Sequence, residues 1–250
     1  GNLHESTDLQ GHKMAVNAAV FSPDSARLLT ASSDGTARLG DVTSGKTLAV
    51  LQGHERAVLS AAFSPDGTKA VTASEDNTAR LWDVASGKTL HVLEGHEESV
   101  FSAVFSPDGT KVLTASNDDT ARLWDALTGR ELATLHHDDD VLSAVFSPDG
   151  ATVATTSYDM TAKVWDATSG AELETLSGHT AEVNSVAFAR DGARLVTASV
   201  DGTARLWDAA NGKELAVLSG HKSWIDTAAF SPDGSSVVTA SGDHLARLWN

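Results

Sequence analysis

The chain has 250 residues, ordinary apolar content, no cysteine and a formal charge of −16 at pH 7. Without thiols it can hold no disulfide, thiolate metal site or cysteine nucleophile. So acidic a surface repels phosphate backbones and anionic lipid headgroups, so neither nucleic acid nor a membrane is an expected partner. No apolar run approaches the roughly 18–20 residues that span a bilayer. The opening GNLHESTDLQ lacks the basic and apolar regions of a signal peptide. A soluble, cytoplasmic location is the expectation.

In chain order, the first candidate element is Leu3–Leu9, a poor strand with Ser6 and Asp8 where the next copy has Leu48 and Val50. Gly11-His12 follow, then the turn Ser22-Pro23-Asp24 and the phrase TARLGD at 36–41. From there the chain repeats itself. TARLWD returns at 78–83, 120–125 and 203–208, with the variants TAKVWD at 161–166 and LARLWN at 245–250. The aligned residues Trp82, Trp124, Trp165, Trp207 and Trp249 step by 42, 41, 42 and 42, and Gly40 stands 42 before the first. The SPD turns at Ser22, Ser64, Ser106, Ser147 and Ser231 keep the same step, with Ala189-Arg190-Asp191 in the fifth place. A fixed period of this size marks a repeat architecture. The units run 11–52, 53–94, 95–136, 137–177, 178–219 and 220–250, with an N-terminal strand in 1–10. They form one domain, 1–250, without a linker.

Each unit holds four short apolar runs. In the second they are VLSAAF (58–63), KAVTAS (69–74), TARLWD (78–83) and KTLHVL (88–93), separated by SPDGT, EDN and VASG. Runs this short, rich in Val, Leu, Thr and Ala and bounded by turn residues, read as strands of an antiparallel meander. In TARLWD, Ala79 and Leu81 face one way while Arg80 and Trp82 face the other. Both faces must be buried, so sheet packs on sheet. Radial packing leaves no bare end, which points to an all-β propeller of six four-stranded antiparallel blades. Fourth strands follow near Lys46, Lys88, Arg130, Ala171 and Lys213 only. Closure is therefore expected through the N-terminal strand pairing with the last blade, at a weak seam. A segment of a larger propeller is the alternative.

The Gly-His pairs at His12, His54, His96, His179 and His221 and the Trp-Asp pairs at Trp82, Trp124, Trp165 and Trp207 resemble the WD-repeat β-propeller family. The resemblance covers almost the whole chain. It implies a binding platform for proteins or peptides, without enzymatic activity or cofactor. It also implies a hydrogen-bonded network in each blade: Trp82, Ser74, His54, Asp76; Trp124, Ser116, His96, Asp118; Trp207, Ser199, His179, Asp201; and Trp249, Ser241, His221, Asp243. In the first repeat His12, Ser32 and Asp34 remain but Gly40 breaks the set.

Ser, His and Asp together invite a hydrolase reading, but a triad is needed once and this set recurs at one spacing, which favours architecture. HHDDD at 136–140 offers divalent-cation ligands, or is a diverged acidic turn; no metal is expected, and either His136 or His137 takes the network place. The arginines of the repeated phrase, one per blade with Lys163 in the fourth, read as packing stems with heads on carboxylates or water. A binding rim is the remaining candidate. At positions where the repeats vary, the residues Arg56, Leu59, Phe101, Asp138, Asp139, Asp140, Leu142, Tyr158, Trp224 and Asp226 offer aromatic, apolar and charged anchors. The expected partner is a protein or peptide with basic and apolar groups. An architectural or engineered ring without a partner, or one that self-associates, is the alternative. In a propeller core the loss of a Trp at Gly40 costs about 3–5 kcal/mol, so Gly40→Trp is expected to stabilise.

Overall fold

A computed structural model describes residues 11–250. The strand expected in 1–10, and with it the closing pair, lies outside the described residues. The described chain is all-β, with four strands in each of the first five repeats and three in the sixth. Among the described residues no helix is long and apolar enough to cross a membrane.

Two compact units are present. The first comprises the described residues up to Thr114 together with Asp125–Arg130, and the second Ala115–Trp124 with Glu131–Asn250. In the first unit, β1 (Val16–Phe21), β2 (Arg27–Ser32), β3 (Thr36–Asp41) and β4 (Thr47–Gln52) form one antiparallel meander. A second meander contains β5 (Val58–Phe63), β6 (Lys69–Ser74), β7 (Ala79–Asp83) and β8 (Thr89–Leu93). Strands β9 (Val100–Phe105) and β10 (Lys111–Ser116) follow, with β11 (Thr120–Asp125) and β12 (Glu131–His136) completing the third repeat.

In the second unit, β13 (Val141–Phe146), β14 (Thr152–Ser157), β15 (Thr161–Asp166) and β16 (Glu172–Ser177) form the fourth sheet. The fifth holds β17 (Val183–Phe188), β18 (Arg194–Ser199), β19 (Thr203–Asp208) and β20 (Glu214–Ser219). The sixth holds β21 (Ile225–Phe230), β22 (Val237–Ser241) and β23 (Ala246–Trp249). The family of all-β meanders is thus as read from the repeats, and the four-strand arrangement is consistent with propeller blades.

The alternation within TARLWD decides how sheets pack. Leu29, Ala31, Ala37, Leu39 and Leu51 of the first sheet meet Val58, Ala61, Ala70 and Trp82 of the second. The same join recurs in the second unit, where Ala154, Ala162, Val164 and Leu176 meet Val186, Leu195 and Trp207. Val196, Ala198 and Ala204 likewise meet Ile225, Ala228 and Val237, with Trp249 at the edge. In these three joins the earlier sheet offers an Ala-Leu face and the later one a Trp face. Fully burying a Leu or Val side chain is worth about 1.5–3 kcal/mol, so the join, rather than the isolated sheet, carries the stability.

Candidate functional site

Strand one of five of the sheets enters through a bulge. Register shifts fall between Val16 and Ala18, Val58 and Ser60, Val141 and Ser143, Val183 and Ser185, and Ile225 and Thr227. A bulge re-aims the extra residue. Asn17 uses this to donate to the Val58 carbonyl (2.8 Å), and Asn184 to that of Ile225 (2.9 Å). Leu59, Leu142 and Asp226 occupy the same repeat position as these asparagines. Leu59 and Leu142, with Phe101 on β9, are half-buried, whereas Asp226 is exposed.

Beside each bulge lies a buried polar chain. His54 Nδ1 meets Asp76 Oδ2 at 2.8 Å and its Nε2 meets Thr72 Oγ1 at 2.8 Å. Trp82 Nε1 donates to the same Thr72 hydroxyl at 2.8 Å. Burial works against ionisation of Asp76, but hydrogen bonds from His54 and Thr78 and the Glu55 N–H outweigh it and hold its carboxyl well below the usual range. An ionised carboxylate only accepts, so Nδ1 carries the proton of the neutral imidazole and Nε2 accepts. The order is then fixed: indole N–H to Thr72 oxygen, Thr72 hydroxyl to His54, His54 to Asp76. Equivalent chains run through Trp165, Thr155, His137, Asp159, through Trp207, Thr197, His179, Asp201, and through Trp249, Thr239, His221, Asp243. His96 meets Thr114 in the same way at 2.7 Å.

The threonine was missed by the sequence reading, which put Ser74 and its equivalents in that place. Ser74 Oγ instead accepts from Asp76 N–H (3.1 Å) and donates to the Arg56 carbonyl, closing the turn. Ser32, Ser157, Ser199 and Ser241 are engaged with backbone likewise. None of these serines bonds the imidazole, so the nucleophile–base pair a hydrolase needs is not formed by them. The signal for threonine was available: Thr30, Thr72, Thr114, Thr155, Thr197 and Thr239 occupy one position in every repeat.

The structure also settles HHDDD. His137 is the network imidazole, whereas His136 ends β12 exposed, its carbonyl accepting from Lys163 Nζ at 3.1 Å. The carboxylates that converge are Asp119, Asp139 and Asp140, with oxygens within 4.8 Å of one another. Neither histidine joins them. The lysine and arginines behave as stems with paired heads where strand four begins with Glu: Arg122 with Glu131, Lys163 with Glu172, and Arg205 with Glu214.

In the first repeat His12 keeps Asp34 (3.0 Å) and Thr30 (2.8 Å), but no indole reaches Thr30. A void of about 20 Å³ lies there, lined by His12, Leu28, Thr30, Arg38, Leu39, Gly40 and Thr47. Gly40 faces away from the join with the second sheet, on the side where Phe21 is exposed. The cost expected for an indole between two sheets therefore does not apply in full. Gly40→Trp is expected to raise stability by about 1 kcal/mol, from one new hydrogen bond and removal of a strand glycine. A urea series on both proteins measures it.

The turn after each of these serines joins the strand-one entrance by one backbone bond: Tyr158 to Asp140 (3.0 Å), Val200 to Glu182 (3.0 Å) and Gly242 to Trp224 (3.0 Å). A family model described as WD domain, G-beta repeat, matches residues 4–41, 45–83, 87–125, 129–166, 170–208 and 212–250. The chain belongs to the WD40 family. No curated protein sequence matches the chain. Each WD40 match is offset from the sheets: residues 45–83 take β4 of one sheet and β5–β7 of the next. WD40 repeats generally serve as protein-interaction scaffolds.

On this WD40 chain the turn ends carry the variable side chains. Trp224 is 50 % exposed. Its indole lies against Gly242, where a Cβ would come within 2.4 Å of Cε2. The other repeats have Ser33, Glu75, Asn117, Tyr158 and Val200 in that place. Tyr158, Met160 and Val200 are exposed in the same unit, and Met160 holds a left-handed φ of 69°. That conformation is uncommon for a residue other than Gly, Asn or Asp, and the sequence reading did not single Met160 out. Asp138 and Asp139 are exposed near them, and Asp138 N–H donates to Asp159. Arg56 belongs to the first unit, in a polar concavity of about 180 Å³ with Glu55, Glu75, Asp76 and Asn77.

Proposed function

We propose that the chain is a non-enzymatic protein-binding scaffold whose second unit carries a recognition rim. The rim's apolar part is Trp224, Tyr158, Met160 and Val200; its acidic part is Asp119, Asp138, Asp139 and Asp140. A partner that fits is an extended peptide with apolar side chains and Lys or Arg. The observation that carries this reading is the half-exposed Trp224 seated on Gly242. A glycine at this one repeat makes room for an indole that is held in place before any partner arrives, and pre-ordered aromatics are the anchors interfaces favour. The acidic turn adds attraction for a basic peptide.

The test is a peptide array sampling basic and apolar residues, read against the chain and against Trp224→Ala with Tyr158→Ala. Peptides bound by the parent chain are expected to lose at least tenfold in affinity, about 1.4 kcal/mol. Retention of every binder by the double variant would remove the named rim from the reading. Gly242→Ala, which displaces the indole without deleting it, is expected to weaken the same peptides.

A further inference from the structure

At two joins an arginine of the chain reaches across to the next repeat. Arg27, the first residue of β2, brings Nη2 to 3.3 Å from the Gly67 carbonyl and 3.7 Å from Asp24 Oδ2 of its own turn. Arg194, the first residue of β18, repeats this in the second unit, donating to the Gly234 carbonyl at 2.8 Å with Asp191 Oδ2 at 3.9 Å. A guanidinium seat is thus built from one turn's aspartate and the next repeat's glycine carbonyl. At the join of the second and third repeats the corresponding residues are Asp66 and Gly109, but Lys69 stands in the arginine's place. The lysine does not fill the seat. Apart from chain neighbours, a Cβ on Gly109 would meet only Pro65 within 4 Å, whereas on Gly67 and Gly234 it would meet the arginine Nη2 at 3.6 and 3.1 Å. A cleft of about 420 Å³ lies there, lined by both Asp66 and Gly109. All its lining residues belong to the first unit.

We propose that this cleft receives an arginine side chain of a partner polypeptide, in the place that Arg27 and Arg194 take at their own joins. A planar guanidinium can reach a carboxylate and a carbonyl together, which the point charge of a lysine does less well. The lining also favours a cation. Asp66, Asp108 and Asp125 stand against Lys69, three negative charges to one positive. Hydroxyl and N–H bonds within their turns hold all three carboxyls below the ordinary value, so they are ionised at neutral pH. Asp125 takes its turn bonds on Oδ1, from the N–H groups of Leu127 and Thr128 and the Thr128 hydroxyl, which leaves Oδ2 for an incoming donor. Beside it Leu127 is 77 % exposed, where other repeats have Thr43, Ala85, Thr168 and Ala210. Its carbonyl accepts from His91 Nε2 at 2.9 Å, which ties this turn to the second sheet. Leu127 and Pro65 therefore offer a contact for an apolar residue next to the arginine. At the join of the fourth and fifth repeats Thr152 takes the arginine's place, but there Arg190 replaces the turn proline and adds a positive charge. The cleft shares no residue with the rim of the second unit.

The probe is the peptide acetyl-Gly-Leu-Arg-Leu-Gly-amide, titrated into the isotope-labelled chain and followed by the amide NMR signals of Gly109, Thr110 and Leu127. These signals are expected to move together on one binding curve. Citrulline in place of the arginine keeps the shape without the charge and should bind about tenfold more weakly or worse. Lys69→Arg supplies the chain's own guanidinium to the seat at unchanged net charge, and should weaken the arginine peptide by a similar factor. Lys69→Gln removes a competing cation and should bind it more tightly. Arginine already stands at this position as Arg27 and Arg194, so melting of the Lys69→Arg chain should match the parent. Four outcomes overturn the proposal: a parent chain whose cleft signals do not respond to the peptide; equal binding of the arginine and citrulline peptides; undiminished binding by Lys69→Arg; and binding lost in the Trp224→Ala, Tyr158→Ala chain, which assigns the peptide to the rim instead.

Discussion

Thr72→Val is expected to destabilise the chain by about 2–6 kcal/mol, more than any surface change. The hydroxyl stands between two buried groups, accepting from Trp82 and donating to His54, each at 2.8 Å. Valine keeps the branched shape and removes both bonds. Leaving a buried donor or acceptor without a partner costs about 1–3 kcal/mol, and here both the indole N–H and the imidazole Nε2 are stranded. The first repeat supplies an internal control. Thr30 bonds His12 but meets no indole, so Thr30→Val should cost about half as much. The difference between the two measures the indole bond. Thr72→Ser, which keeps the hydroxyl, should recover most of the loss. Urea midpoints for the three variants decide it, and equal midpoints for Thr72→Val and Thr30→Val would show that the indole bond contributes nothing.

Acid is expected to unfold the chain in two stages. Asp34, Asp76, Asp159 and Asp201 are held below the ordinary carboxylate value; burial pushes each upward, and hydrogen bonds from threonine hydroxyls, histidine and backbone N–H groups more than reverse it. Between the folded value and the unfolded value near 3.9 the unfolded chain binds more protons, so stability falls as pH falls. The stability these carboxylates contribute is present above pH ~4 and is lost progressively as pH falls to pH ~2 and below. The turn carboxylates Asp66 and Asp108 move the same way, lowered to about 2 by the Ser64 and Ser106 hydroxyls and the Thr68 and Thr110 N–H groups. His179 adds the earlier stage. Its burial lowers the imidazole pKa against the opposing pull of Asp201, so the folded chain resists protonation and stability begins to decline below about pH 6.5. Protonation also relieves the repulsion of a net charge of −16, which offsets part of the loss. Urea midpoints from pH 7 to pH 2 should fall gently at first and steeply below pH 4. A midpoint that holds steady from pH 5 to pH 2.5 would contradict the role given to the Asp–His pairs.

Much of the site was legible because a repeat is its own alignment. Trp82, His54 and Asp76 stand out since large, titratable residues recur at one step. Thr72 recurs just as strictly, yet threonine is an ordinary strand residue and nothing in its type announces a shared hydroxyl. His136 and His137 could not be told apart by letter, because the chain there is one residue short and only the path of β12 decides which ring turns inward. The reach of Asn17 and Asn184 to the next sheet was not legible for a similar reason: a bulge, not the alternation of a strand, sets where they point.

By itself the sequence determined the all-β class, the six-fold period, the alternation that gives every sheet two apolar faces, and the absence of thiol chemistry. These are local properties, set by spacing and by side-chain type. Tertiary structure decided what each face meets. It placed threonine between indole and imidazole, seated Trp224 on Gly242, gathered Asp119 with Asp139 and Asp140, and left Phe21 and Leu248 uncovered. The physical reason is that burial belongs to pairs of surfaces: Leu39 is buried because the second sheet packs across it, while the equivalent Leu248 is exposed.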